Sequence, residues 1–330
     1  MLENLTPFAA EILPGYGPDG GLQKTVVVKA TLDFRNRVAP HGTGLPILRG
    51  DQFFDAPGME GVVRFESDLV PFKPRVDVIV NAVAYAPGGK PVAAFDAGVT
   101  VGREARVVRV FGERVWRKRL GLFPVAVEQA PALQVPVAYH LAYGGQDPAD
   151  AQAFAPANPT GLGFSAGLPP DGWPLPRIEW PDELIHAASD TPSPAGFGCF
   201  GRTWLPRRKL LGSYGPAEWQ VPGIVGRMPR SFDPAAWNCA HPRMQFSFDQ
   251  VTSGTSIQWL HLSAQGPSQI TLPDIRPHVS WTAGGGKRHA ASPHFDTVTI
   301  EPEHGHFALT WRHTLSQEIH GPVEAVQVHL

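Results

Sequence analysis

Residues 64–91 read RFESDLVPFKPRVDVIVNAVAYAPGGKP. From Val76 to Tyr85 the even set is Val76, Val78, Val80, Ala82 and Ala84; the odd set is Asp77, Ile79, Asn81, Val83 and Tyr85. A period of two, rich in β-branched residues and largely apolar in both sets, predicts a strand buried on both faces. Pro71 and Pro74 keep the approach to it extended, because a residue before proline is steered out of the α region. Ala86-Pro87-Gly88-Gly89-Lys90 then turns the chain, since proline presets φ and glycine accepts a positive one. Asp68, Lys73, Arg75 and Asp77 crowd the approach with alternating charge. They are expected to pair and to fix how the strand is entered, because a buried charge needs a partner. Acid–base work by the two carboxylates is the competing reading.

The same alternation recurs outward from this stretch. Lys24 to Phe34 predicts a strand, as do Val92 to Val101 and Arg106 to Phe111, joined through Gly102-Arg103-Glu104. Val298 and Ile300 match Phe307, Leu309 and Trp311 across Glu301-Pro302-Glu303-His304-Gly305, a hairpin pattern, and Val326, Val328 and Leu330 make a last strand. Asp182 to Ser189 is expected to form a short helix. With 35 Gly and 35 Pro in 330 residues, turns should be many and long helices few. The expected fold is all-β, antiparallel sheets in one or two sandwiches with a few short helices and long Pro/Gly-rich loops. Residues 146–177 are rich in Pro, Gly and Ala, longer than an ordinary connection. They suggest a division into an N-terminal subdomain (1–145), a connection (146–177) and a C-terminal subdomain (178–330).

The 28 basic and 30 acidic residues nearly cancel, which argues against a general nucleic-acid binder or an anionic-membrane binder. Cys199 and Cys239 are the only cysteines, too few for a disulfide framework. The first residues lack a signal-peptide pattern, and no window is apolar enough to span a bilayer. A cytoplasmic protein is expected.

Ordered short motifs along the chain resemble the bacterial family called domain of unknown function 2169. They include Val28-Lys29-Ala30-Thr31-Leu32-Asp33, the run Ser67, Asp68, Leu69, Pro71, Lys73, Pro74, Arg75, Asp77, then Ala86-Pro87-Gly88-Gly89, Gly112 to Trp116, Ala138 to Gly145, and Asn158 to Phe164. His241 and Met244 depart from the family's pattern. The resemblance implies an accessory protein of the type VI secretion system: an adaptor or chaperone, not an enzyme, that binds a secreted effector or a spike protein of the PAAR type.

Competing motifs are few. Gly163-Phe164-Ser165-Ala166-Gly167 has the form of a nucleophile elbow, but Pro169 and Pro170 would break the helix it requires. A hydrolase using Ser165 is therefore an alternative only. Gly196 to Gly201 has the G-x-G-x-x-G form without a βαβ context. His304 and His306 share a strand face and could ligate one metal ion, which gives a metal-dependent enzyme as another alternative; the expectation is no metal and no cofactor. A row of exposed tryptophans would instead signal a carbohydrate-binding sandwich. Trp204, Arg207 and Arg208 lie in the most basic short patch, and with Trp219 and Trp237 they are the candidate partner-binding residues, since aromatic and Arg side chains dominate interfaces.

Overall fold

Residues 76–85 form two strands, Val76–Val80 and Val83–Tyr85. The computed structural model describes residues 1–17, 20–40, 42–120, 123–150, 152–220, 227–264, 268–316 and 321–330. Val76–Val80 lies in a six-stranded sheet, whereas Val83–Tyr85 pairs with Gln134–Pro136. Asn81 marks the break. Its side-chain amide donates to Glu301 at 2.6 Å and to the Arg64 carbonyl at 3.2 Å. The turn that follows is as expected, a single 3-10 turn at Pro87–Gly89 with Gly88 and Gly89 at φ 68° and 64°.

The strands used below are, in chain order, β1 (Ala9–Tyr16), β2 (Leu22–Asp33), β3 (Val76–Val80), β4 (Glu113–Arg119), β5 (Phe123–Ala130), β6 (Gln245–Phe246), β7 (His294–Glu301) and β8 (His306–Ser316). The six-stranded sheet has the order β6-β3-β7-β8-β2-β1. It is antiparallel except for β3 beside β7, which run parallel. The expected terminal hairpin is present as β7–β8, with Ile300 opposite Phe307 and Val298 opposite Leu309. A five-stranded antiparallel sheet contains Ala94–Val101 and Glu104–Phe111, with Ser256–Leu260, Gln269–Thr271 and Ile178–Glu179 alongside.

The chain is all-β. Its few helices are single turns, among them Arg207–Leu210 and Pro216–Trp219. Residues 182–189 are turns, not the expected helix; Glu183 and Asp190 instead accept backbone N–H groups of Ser193, His186 and Ala187. The sheets also cut across the expected subdomains. Both large sheets mix strands from before residue 145 with strands from residue 178 onward. One apolar core is correspondingly continuous, with Val78, Val298, Leu309 and Ala30 from one sheet and Val99, Val108, Ile257 and Trp259 from the other. Such cross-pairing leaves no boundary at which a half could keep its own core.

Candidate functional site

The six-stranded sheet is apolar toward this core and charged on its other face. Register places Gln245, Asp77, Thr297, Thr310 and Lys29 in one row across it. Arg312 is two residues from Thr310 and so shares that face. The register shifts between Phe295 and Thr297, and this bulge turns Asp296 to the same side, a common use of the extra residue. Lys29, Asp77, Asp296 and Arg312 are all nine-tenths or more buried, so every charge there must be answered from what covers the face.

The cover is the stretch 64–75 together with residues 236–241. Asp68 accepts from Lys29, from Arg312 Nη2 at 2.8 Å and from the Leu48 amide at 2.8 Å. Lys29 also donates to the Pro46 carbonyl at 3.0 Å. Five positions on, Lys73 donates to Asp77 at 2.8 Å, to Thr297 Oγ1 at 3.0 Å and to Cys239 Sγ at 3.4 Å. Asp77 further accepts from Asn238 Nδ2 at 2.9 Å and the Cys239 amide at 2.8 Å. Arg312 Nη1 closes the set on Asp296. Lys29, Lys73 and Arg312 thus face Asp68, Asp77 and Asp296, and the buried charge sums to zero.

These surroundings set the protonation states. Burial alone would raise Asp68 and Asp77, but Lys29 and Arg312 beside the first and Lys73 beside the second, with the N–H groups aimed at them, hold both below the usual carboxylate range. Burial opposes charge on Lys73 as well, yet Asp77 more than offsets it and the pKa rises. Lys29 goes the other way, since burial lowers it more than Asp68 restores. The ion pair is the resting state, because Asp68 is held ionised by two cations and Nζ sits directly on its carboxylate.

Of the four charges predicted to pair, Lys73 and Asp77 meet each other. Asp68 finds its partners on β2 and β8, and Arg75 is exposed, donating to the Gln245 carbonyl at 3.1 Å. A second cluster was not foreseen. Glu66 accepts both Arg202 and Arg207, and Arg207 also donates to the carbonyls of Phe200 and Ala236 at 2.8 and 3.0 Å. This corrects the reading of the basic patch as a partner surface. Arg207 is buried by Glu66, and Trp204 is buried edge-on to Tyr139 and Phe200. Trp237 is buried against Phe72 and Phe232. Trp219, 62% exposed, and Arg208 remain at the surface. The other tryptophans are buried, apart from half-buried Trp173, so among the described residues there is no exposed row.

The remaining motifs make local contacts. Ser165 Oγ stands 3.4 Å from Asp147, whose carboxylate already accepts the amides of Ala149, Asp150 and Ala166. No helix follows Gly167, and the hollow beside Ser165 holds only about 10 Å³. In the stretch 196–201, a Cβ on Gly196 would meet the Tyr139 ring at 2.9 Å and one on Gly201 the Trp204 ring at 2.5 Å. These glycines admit aromatic rings rather than a phosphate. His304 Nδ1 lies 3.2 Å from Glu301, and among the described residues no group of three His, Cys, Asp or Glu side chains converges as metal ligands.

What the ion network holds in place is a loop with apolar side chains turned outward. Between the anchors Asp68 and Lys73, Leu69 is 45% and Phe72 40% exposed. Two hollows meet at Pro71. One, about 300 Å³, is lined by Tyr16, Leu69 and Trp237; the other, about 370 Å³, by Phe72, Phe248 and His313.

Fold and site together define an all-β protein whose central sheet carries a loop clamped by buried ion pairs. The chain belongs to the family described as an uncharacterized protein conserved in bacteria (DUF2169), which matches residues 19–312. No curated protein and no solved structure matches it significantly.

Proposed function

We propose that this chain is a non-enzymatic protein-binding adaptor that takes its client on the loop 69–74 and the hollows beside it. The observation that carries this reading is the exposure of Leu69, Phe72 and Phe248 around a loop anchored at both ends by buried ion pairs. Apolar groups held rigidly at a surface lose little conformational entropy when covered, which favours association. The family resemblance supplies the partner class: a secreted effector of the type VI system, or a spike-associated protein that receives it, bound in the cytoplasm before export.

The test is affinity purification of the tagged chain from its bacterial host, in parallel with a Leu69→Asp/Phe248→Asp variant. Both positions are exposed, so the variant should keep its circular dichroism and melting temperature. A toxin-domain or spike protein must come down with the wild type and be lost from the variant. Recovery by both alike, or by neither, sinks the proposal.

A further inference from the structure

The ribbon β4–β5 has one occupied edge and one open edge. On the β4 side, the Trp116 amide donates to the Trp173 carbonyl at 2.8 Å, the Gly172 amide to Trp116 at 2.7 Å and the Leu175 amide to Arg114 at 2.9 Å. Arg114 and Trp116 therefore turn their backbone groups away from β5. Alternation leaves Val115, Arg117 and Arg119 bonded to their register partners Val127, Val125 and Phe123. It follows that Pro124, Ala126 and Glu128 present their backbone groups to the open side of β5. Among the described residues no backbone group meets them there, and the ribbon has no third strand. Pro124 is tolerated because its missing N–H would point away from β4, so the β4–β5 ladder loses no bond.

This edge is complementary to itself. We propose that a second copy of the chain pairs antiparallel along β5, with Ala126 on the two-fold axis. Only in that register do all three outward residues face outward residues, Ala126 meeting Ala126 and Pro124 meeting Glu128. The Pro124 carbonyl then accepts the Glu128 amide of the other copy. The Glu128 carbonyl, opposite a residue with no donor, is the one already held by its neighbour, through Gln129 Nε2 at 3.2 Å. Side chains agree with the backbone. Val125, 37% exposed, falls opposite Val127 of the other copy and the reverse, so two aliphatic pairs close over the joint. On the other face Lys118, Pro124 and the other copy's Glu128 stand in one row. Two strand spacings, about 10 Å, separate the first from the last across a short proline. Arg117 is paired with Asp171, whereas Lys118 and Glu128 have no ion pair among the described residues; the second copy supplies one to each. The association is independent of the client loop.

Sedimentation equilibrium of the full chain, from micromolar concentration upward, tests it. The expected result is a monomer–dimer equilibrium that Glu128→Lys or Lys118→Glu weakens several-fold and the double reversal restores. Ala126→Cys should oxidise to a covalent dimer and Val125→Cys should not, the native Cys199 and Cys239 being buried. A monomer at every concentration, or a dimer indifferent to both charge reversals, overturns the proposal. So does a monomer whose Ala126 amide is protected from exchange only when a client protein is bound, which would make the edge a client site.

Discussion

Lys73 and Asp77 offer a test in which the double variant should be more stable than one of its parents. Asp77 is fully buried and takes three donors: Lys73, Asn238 and the Cys239 amide. Lys73→Met leaves that carboxylate with two of them, so the loss should sit at the low end for breaking a buried pair, about 3 kcal/mol. Asp77→Leu is worse. It leaves the Lys73 ammonium with only Thr297 Oγ1 and Cys239 Sγ within reach, and it orphans the Cys239 amide, for about 5 kcal/mol. In Lys73→Met/Asp77→Leu no charge is stranded. What remains is the unpaired Cys239 amide, about 1–3 kcal/mol. Equilibrium urea unfolding at pH 7 reads all four proteins, provided their slopes agree. A double variant losing about 8 kcal/mol, the sum of the singles, would refute the claim that the two charges are a unit.

The other predictions can be checked alongside. His241 is buried, accepts the Arg243 amide on Nδ1, and has its pKa driven by burial down to about 3. The unfolded chain binds the proton first, so between pH 6.5 and 3 stability should fall by about 1.4 kcal/mol per unit of acidification, and His241→Gln should flatten that limb of an unfolding series. Asp68, whose folded pKa is depressed, contributes stability complete above its ordinary 3.8 and lost as pH drops below it; Asp68→Asn should remove that acid step. Gly201→Ala forces a Cβ into Trp204 and should cost about 1–3 kcal/mol by the same urea assay. Arg207→Met strands Glu66 with Arg202 alone and should cost about 3 kcal/mol.

Period-two alternation made β2, β3, the β7–β8 hairpin and the last strand legible, the last running Val323–His329 and stopping short of Leu330, because burial of a sheet face writes itself directly into spacing. The pairing of the charges was only half legible. Lys73 and Asp77 are four residues apart, so a local reading finds them. Asp68 is answered from 39 and 244 residues away, and Arg207 from 141, distances at which sequence offers no pointer. A signal did exist on the other side. Lys29, Asp77, Asp296 and Arg312 each interrupt a strand of apolar and β-branched residues, and a charge in such a run implies a buried partner. The basic patch misled for a related reason: its balance with Glu66 is invisible until the chain folds.

The network also explains how a loop can keep apolar side chains in water. An ordinary loop is fastened by burying its apolar residues, which leaves none to offer. Here the fastening is ionic, Asp68 at one end and Lys73 at the other, with only Val70 buried between them. Buried ion pairs add little net stability over an apolar equivalent, so stability alone does not account for three of them under one loop. Position does. Each pair accepts one geometry, and together they fix where Leu69 and Phe72 stand relative to β1 and β8. If that is their role, Lys73→Met/Asp77→Leu should fold yet hold the proposed client less tightly, even though neither residue reaches the surface. A folded double variant with wild-type affinity would confine the network to structure.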